Sequence, residues 1–369
     1  MNVALLGFGV VGRGVYDLLA PRDDLQVKYV VCLEDIALPD AKVTRNYREI
    51  LEDEDLDTVV EAMVGLHPAF EFVRDAILAG KNIVTSNKAL VATFYDELLP
   101  LVKEKGVSFR CTAAVGGGIG WLSELERSRR AQEIGKVGGI MNGTCNYILD
   151  NMTRLGLGYD EALKQAQALG YAAANPSTDV EGIDTWHKVI LSSNIAFGVS
   201  LERDGVPAAG IDKIAACDVE EFTAHGRVCK LLSTGLCNDG KISAFVQPTL
   251  VKQGEPESAV PLNFNLITFE GAASGRMSFY GQGAGRYPTA YNVVQDLVDI
   301  LAGKSFYAPY GGKVAVCNDL EMSYYVRGAQ WTGETVESWG QGVITAPVSV
   351  AAMHAWRKEN PDAFIAALA

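Results

Sequence analysis

The chain has 369 residues, 48% hydrophobic and 21% charged, a globular composition that excludes disorder, collagen-like repeats and coiled coil. Its 32 basic and 45 acidic side chains leave a formal charge of −13. Binding to nucleic acid or an anionic membrane needs clustered Lys and Arg, and the densest group here, Arg127, Arg129 and Arg130, is preceded by two glutamates.

Along the first third, short β-branched runs alternate with helical stretches. Strands are expected over 2–6, 27–33, 57–63, 82–85 and 107–111, with helices over 12–19 and 68–79 between them. Such alternation implies right-handed βαβ units and a parallel sheet. After about residue 135 the texture changes. Helices are expected over 160–169 and 182–197, then strands over 243–250, 264–270 and 276–280 at meander-like spacing. A long helix over 289–301, a strand over 323–327 and a helix over 348–368 split at Pro361 complete the chain.

Seven cysteines, at 32, 111, 145, 217, 229, 237 and 317, form no C-x-x-C pair, and the four histidines are scattered. That argues against a disulfide framework and against a structural zinc site, and for a reduced cytoplasmic protein. The apolar start lacks a basic leader, contains Gly7, Gly9 and Gly12, and runs into Arg13, so it does not read as a signal peptide. The most apolar internal run, 189–199, is broken by two Ser and an Asn and is too short to span a bilayer. The expected protein is soluble.

Gly7-Phe8-Gly9-Val10-Val11-Gly12 matches G-x-G-x-x-G between a hydrophobic strand and a helix. Gly7 permits the tight turn, Gly9 lets the backbone approach a pyrophosphate, and Gly12 allows close strand–helix packing. The helix start, with Val10 and Val11, offers N–H donors and the positive dipole end to the phosphates. Glu34 and Asp35 follow the second strand near the offset where an acid holds the ribose hydroxyls of NAD and repels a 2′-phosphate. No Arg follows directly, although Lys42 and Arg45 are near, so NAD is expected over NADP, with NADP possible.

The expected fold is α/β, a Rossmann-type doubly wound parallel sheet with a second, α+β domain. The dinucleotide-binding domain takes 1–135, with 286–310 returning to it, the second domain takes 136–285, and 311–369 form a C-terminal extension.

Five further segments run in order to about residue 303. They are Thr85-Ser86-Asn87-Lys88-Ala89-Leu90, Ala114-Val115-Gly116-Gly117-Gly118-Ile119, and Asn142-Gly143-Thr144-Cys145-Asn146-Tyr147-Ile148-Leu149. Asp179-Val180-Glu181-Gly182-Ile183-Asp184 with His187-Lys188 follows, then Gly281-Gln282-Gly283-Ala284-Gly285-Arg286 with Pro288-Thr289-Ala290. Together they resemble the homoserine dehydrogenase family. The resemblance implies catalysis by Lys188, Lys88 and Asp184, with Asn87 and Gly285 at the cofactor. It implies a small-molecule substrate near Asn142, Gly143, Thr144, Tyr171 and Asp179, and a homodimer formed through the β-rich middle domain. Residues beyond 303 do not resemble the regulatory ACT domain that some members append.

Read physically, Asp184 and Lys188 are four apart and share a helix face. A Lys so paired can trade a proton with a reacting oxygen, whereas the bland reading is a surface ion pair. Lys88 reads as a charge at the C-terminal edge of a parallel sheet, where such sheets bind ligands. His187 points about 100° away from Lys188 and reads as structural.

The departures bear on substrate and cation. Ala173 and Asn175 stand where the family usually has Glu and Asp, and Thr112 stands where it has a Glu that contributes to a monovalent-cation site. The expected activity is reversible hydride transfer between NAD(P) and a small alcohol or aldehyde, either homoserine and aspartate semialdehyde or a related pair. The alternative is an inactive NAD-binding regulatory paralogue, against which retention of Lys88, Asp184 and Lys188 argues.

Overall fold

An apolar strand, β1 (Asn2–Leu6), opens the first of two units in a computed structural model that describes residues 1–304 and 310–369. That unit comprises Met1–Arg130, Gly198–Ser200 and Gln282–Lys313. After β1 come α1 (Val10–Leu19), β2 (Gln26–Val31), β3 (Lys42–Thr44), α2 (Arg48–Glu52) and β4 (Thr58–Glu61). Then follow α3 (Ala69–Leu78), β5 (Asn82–Thr85), α4 (Lys88–Lys105) and β6 (Phe109–Arg110).

The strands form one all-parallel sheet in the order β3-β2-β1-β4-β5-β6. Its strands are continuous apolar runs because helices cover both faces. Val3, Leu5, Val30, Val60 and Val84 pack with Val15 and Leu19 of α1. Ala290, Val293 and Leu297 of the helix Arg286–Leu301 complete that core, so this late helix belongs to the first unit. Gly14 makes the approach possible: a Cβ there would lie 3.0 Å from the Cβ of Ala290. The winding reverses between β1 and β4, which is where open α/β sheets bind ligands. This is the Rossmann-type sheet that the alternating pattern predicted. The part of the expected returning segment at 305–309 lies outside the described residues.

The second unit comprises Ala131–Phe197, Leu201–Gly281 and Val314–Ala369, and carries a mixed nine-stranded sheet. Within it Ile134–Ile140 lies antiparallel to both Phe264–Gly271 and Arg227–Asn238. Arg227–Asn238 pairs antiparallel with Lys241–Lys252 over twelve residues. The tail then extends the sheet. Phe364–Leu368 pairs parallel with Lys241–Lys252 and antiparallel with Tyr324–Arg327. The helices Gly143–Leu155 and Ile183–Phe197 pack on this sheet.

One local expectation needs correction, and two strands had no counterpart in the sequence reading. Residues 348–368 do not form a split helix. They form a short strand Val348–Ser349, a helix Val350–Glu359 and a fully paired strand Phe364–Leu368. The helix ends at Asn360 because Pro361 cannot continue it, and the apolar stretch beyond finds two strand partners. Two central strands, Ile134–Ile140 and Arg227–Asn238, went unpredicted. The first is rich in glycine for a packing reason: at Gly139 (φ +116°) a Cβ would lie 2.3 Å from the Leu266 carbonyl oxygen of the neighbouring strand.

Candidate active site

In the first unit the glycine motif forms the turn from β1 into α1. Gly7 sits at φ +93°, where a Cβ would come within 2.7 Å of the Ala62 carbonyl oxygen. A Cβ on Gly12 would lie 2.2 Å from the Gly7 carbonyl oxygen, so strand and helix touch backbone to backbone. Gly9 is the opposite case: nothing lies within 4 Å of its Cβ position. It caps α1 with no side-chain hydrogen bond, leaving the first-turn N–H groups open beside exposed Val10 and half-buried Val11. A turn clear of side chains at a helix N-terminus fits a pyrophosphate.

At the end of β2 both acids are ion-paired. Glu34 accepts from Arg13 Nη2 at 2.5 Å, and Asp35 accepts from Arg45 Nη2 at 2.7 Å. Arg13, one residue past the glycine motif, went unweighed as a partner in the sequence, although Arg45 was noted. Its position on the first turn of α1 was the available signal.

Glu61 closes β4, its carboxylate fully buried and its pKa raised by that burial. It accepts from the Thr85 hydroxyl, from the Met63 N–H at 2.8 Å and from Asn87 Nδ2 at 3.5 Å. Asn87 Nδ2 also donates to the Gly65 carbonyl at 2.8 Å, while its Oδ1 caps α4 by accepting from the Leu90 N–H at 3.1 Å. This network fixes the turn that presents Lys88, the half-buried first residue of α4. Glu61 was missed; an acid ending an apolar strand was its only sequence signal. Gly285 lies at the start of the helix Arg286–Leu301, at φ +124° and against Pro288.

In the second unit Lys188 and Asp184 are both buried, on the helix Ile183–Phe197. Lys188 Nζ lies 2.7 Å from Asp184 Oδ2 and donates to the Met141 carbonyl at 2.6 Å. Asn142 Nδ2 donates to Asp184 Oδ2 at 2.9 Å and to Asp179 Oδ1 at 2.7 Å. Asn142 also caps the helix Gly143–Leu155 by accepting from the Cys145 N–H at 2.8 Å. A Cβ on Gly143 would meet the Asn263 carbonyl oxygen at 2.5 Å. Thr144 donates to the Tyr171 carbonyl at 2.6 Å, and the Tyr171 ring stands edge-on to Tyr147.

Asp179, Asn142, Asp184 and Lys188 thus form one hydrogen-bonded chain. A buried ion pair is not the solvated i,i+4 contact of a helix surface. Its nitrogen is held in place, where the amine form can accept a hydroxyl proton and the ammonium form can give one back. His187 lies apart, its Nδ1 2.9 Å from the Ile183 carbonyl oxygen. Ala173, Ala174 and Asn175 are exposed, and the Ala173 carbonyl accepts from Gln167 Nε2 at 3.1 Å.

Deeper in this unit Lys230 is fully buried and donates to Asn146 Oδ1 at 2.9 Å and to the Val260 carbonyl at 2.8 Å. Burial lowers its pKa to about 8. Asn146 Nδ2 in turn donates to the Leu262 carbonyl at 2.7 Å, so this buried pair anchors the segment after Val260 to the helix that Asn142 caps.

The homoserine dehydrogenase family signature matches residues 121–298, and the signature for the homoserine dehydrogenase NAD-binding domain matches residues 7–112. The homoserine dehydrogenase of Bacillus subtilis is 36% identical over 349 residues, 89% of this chain and 81% of that protein. That of Corynebacterium glutamicum is 39% identical over 325 residues, 82% of this chain and 72% of its own. The chain belongs to the homoserine dehydrogenase family.

A solved homoserine dehydrogenase from Thiobacillus denitrificans superposes with a TM-score of 0.88 at 29% identity, covering 100% of this chain and 98% of that one. One from S. aureus gives 0.79 at 27% identity with the same coverage. As a homoserine dehydrogenase family member, the chain is an NAD(P)-dependent oxidoreductase acting on a CH–OH group. The inactive-paralogue alternative finds no support among these relatives. Among the described residues no helix is long and apolar enough to cross a membrane.

Proposed function

We propose that the chain interconverts a small primary alcohol and its aldehyde, and that it uses homoserine poorly. The observation that carries the reading is the buried Lys188–Asp184 pair bonded through Asn142 to Asp179, beside a segment 171–176 that contains no acid. NAD(P), when bound, accepts or returns the hydride. As the neutral amine Lys188 takes the hydroxyl proton on oxidation, and as the ammonium it returns that proton on reduction, held in both directions by Asp184 and the Met141 carbonyl. Lys88, fixed by the Asn87–Glu61 network, is the second candidate for handling that proton. Asn142, Gly143, Thr144 and Tyr171 orient the substrate.

Homoserine carries an ammonium that a buried site must meet with acceptors, preferably a carboxylate. With Ala173 and Asn175 at the usual acidic positions, Asp179 is the one acid left for that task in this cluster, and Asn142 already occupies it. The test is kcat/KM for homoserine against the same hydroxy acid lacking the amino group. Higher efficiency with the deaminated compound is expected; the reverse order would refute the reading.

The glycine turn, Asn87 and Gly285 support the cofactor assignment, and Glu34 and Asp35 support a preference for NAD. Because Arg13 already contacts Glu34, Glu34→Ser leaves a guanidinium ready for a 2′-phosphate. That variant is expected to raise the NADP-to-NAD ratio of kcat/KM by about 10-fold, the equivalent of about 1.4 kcal/mol. An unchanged ratio would remove Glu34 from cofactor choice.

A homodimer fits the second unit, whose strand Gly275–Gln282 exposes Met277 and Tyr280. Light scattering should give twice the 39.6 kDa chain mass, and a monomer would end that proposal. Seven unpaired cysteines among the described residues support a reducing, cytoplasmic location, which cell fractionation tests.

A further inference from the structure

The glycine-rich loop 115–119 in the first unit is held from inside by a side chain that the reaction does not use. Asn292, buried on the helix Arg286–Leu301, donates from Nδ2 to the Gly117 carbonyl at 2.5 Å and to the Ile119 carbonyl at 3.0 Å. Both carbonyls face inward, where an unmet acceptor is costly. The loop itself has little freedom: Gly117 sits at φ +51°, and a Cβ there would lie 2.6 Å from the Gly283 backbone. The Gly118 N–H donates to the Gln282 carbonyl at 3.1 Å.

One turn along the same helix, Asp296 is fully buried and receives three donors. Arg110 Nε reaches it at 2.9 Å, the Thr112 N–H at 2.9 Å and the Thr112 hydroxyl at 2.7 Å. The Thr112 oxygen also lies 2.5 Å from Ser123 Oγ. So position 112, where the family resemblance implies a cation-binding Glu, carries a neutral hydroxyl already engaged on both sides. Asp296, the buried carboxylate it contacts, is paired with Arg110.

These residues do not fit a monovalent cation. Such an ion needs several oxygen ligands, at best one of them anionic, and the two inward loop carbonyls are taken by an N–H₂ group. We infer that the Asn292 amide does the structural work of a bound cation in this chain, so the loop keeps its shape without Na⁺ or K⁺. The two N–H bonds of one amide suit two converging carbonyls, and the neutral pair of Thr112 and Asn292 adds no charge to a buried site.

The test compares the cofactor-bound enzyme in NaCl, KCl and choline chloride at equal ionic strength. Wild-type Tm is expected to agree within about 1 °C across the three salts, as for a protein with no cation-linked site. A saturable rise in Tm with NaCl or KCl, absent in choline chloride, would overturn the inference. Asn292→Ala should lower Tm in all three salts, because two buried carbonyls lose their donor. The double variant Thr112→Glu with Asn292→Ala empties the amide position and supplies an anion, so its Tm should rise saturably with NaCl or KCl alone. Indifference of a folded double variant would overturn the equivalence of amide and cation. Should the double variant fail to fold, the wild-type salt comparison still decides. The Tm readout requires no substrate, so its outcome is independent of the substrate assignment.

Discussion

Lys188→Ala is expected to lower kcat by roughly 100-fold or more while leaving NADH affinity within about twofold, the usual scale for a general acid–base group. The geometry gives the reason. Lys188 is buried, and its ammonium is oriented by Asp184 at 2.7 Å and the Met141 carbonyl at 2.6 Å. Removing it deletes the proton carrier and leaves Asp184 as a buried carboxylate supported by Asn142. Some loss of stability is therefore also expected, of the few kcal/mol that an uncompensated buried charge costs. Turnover by single-turnover kinetics and NADH affinity by fluorescence separate the two effects. Turnover within twofold of wild type would remove Lys188 from the proton-transfer step.

Gly12→Ala carries the second large effect, in the other unit. The added methyl would lie 2.2 Å from the Gly7 carbonyl oxygen, far inside van der Waals contact. Neither side can yield cheaply. Gly7 is held at φ +93° by its own approach to Ala62, and α1 is locked against the helix Arg286–Leu301 through Gly14. Pushing strand and helix apart opens the turn proposed to support the pyrophosphate. The overpacking cost of about 1–3 kcal/mol translates to roughly a 10- to 100-fold loss of NADH affinity, with a lower Tm. Gly9→Ala provides the contrast, since its Cβ meets nothing within 4 Å of protein. It should fold normally and lose affinity only through the bound dinucleotide. Equal NADH affinity in wild type and Gly12→Ala would show that the turn does not depend on this contact.

The parallel sheet was legible because helices on both faces make its strands short apolar runs, and because the glycine motif sits where β1 must turn. The second unit was less legible, for two reasons. Ile134–Ile140 carries glycines that strand propensity disfavours, yet neighbouring carbonyls at 2.2–2.3 Å from the Cβ positions of Gly138 and Gly139 demand them. Arg227–Asn238 hides Lys230, a lysine whose burial depends on Asn146 and the Val260 carbonyl, both remote in sequence. The tail strand Phe364–Leu368 gains its identity only from partners it meets more than a hundred residues back along the chain or forty before it.

For the site, spacing alone joined Asp184 to Lys188, since helical periodicity is local. What spacing could not give was burial, which sets this pair apart from a common surface ion pair and makes it the proposed proton carrier. Nor could it join Asn142 to Asp179 across 37 residues, Arg13 to Glu34, or Glu61 to Asn87. Those links arise from strand order and helix packing, and a strand-ending acid such as Glu61 looks like any other charge until its neighbours are known.

The central claim is an enzyme with its proton-handling pair in place and its amine-binding acid missing. Its most direct test is kcat/KM for homoserine in the wild type and in Ala173→Glu, measured with the preferred cofactor. The account predicts a wild-type value well below about 10⁴ M⁻¹s⁻¹, rising at least about 10-fold when the carboxylate is introduced at 173. A wild-type value above about 10⁴ M⁻¹s⁻¹, unimproved by Ala173→Glu, would contradict it.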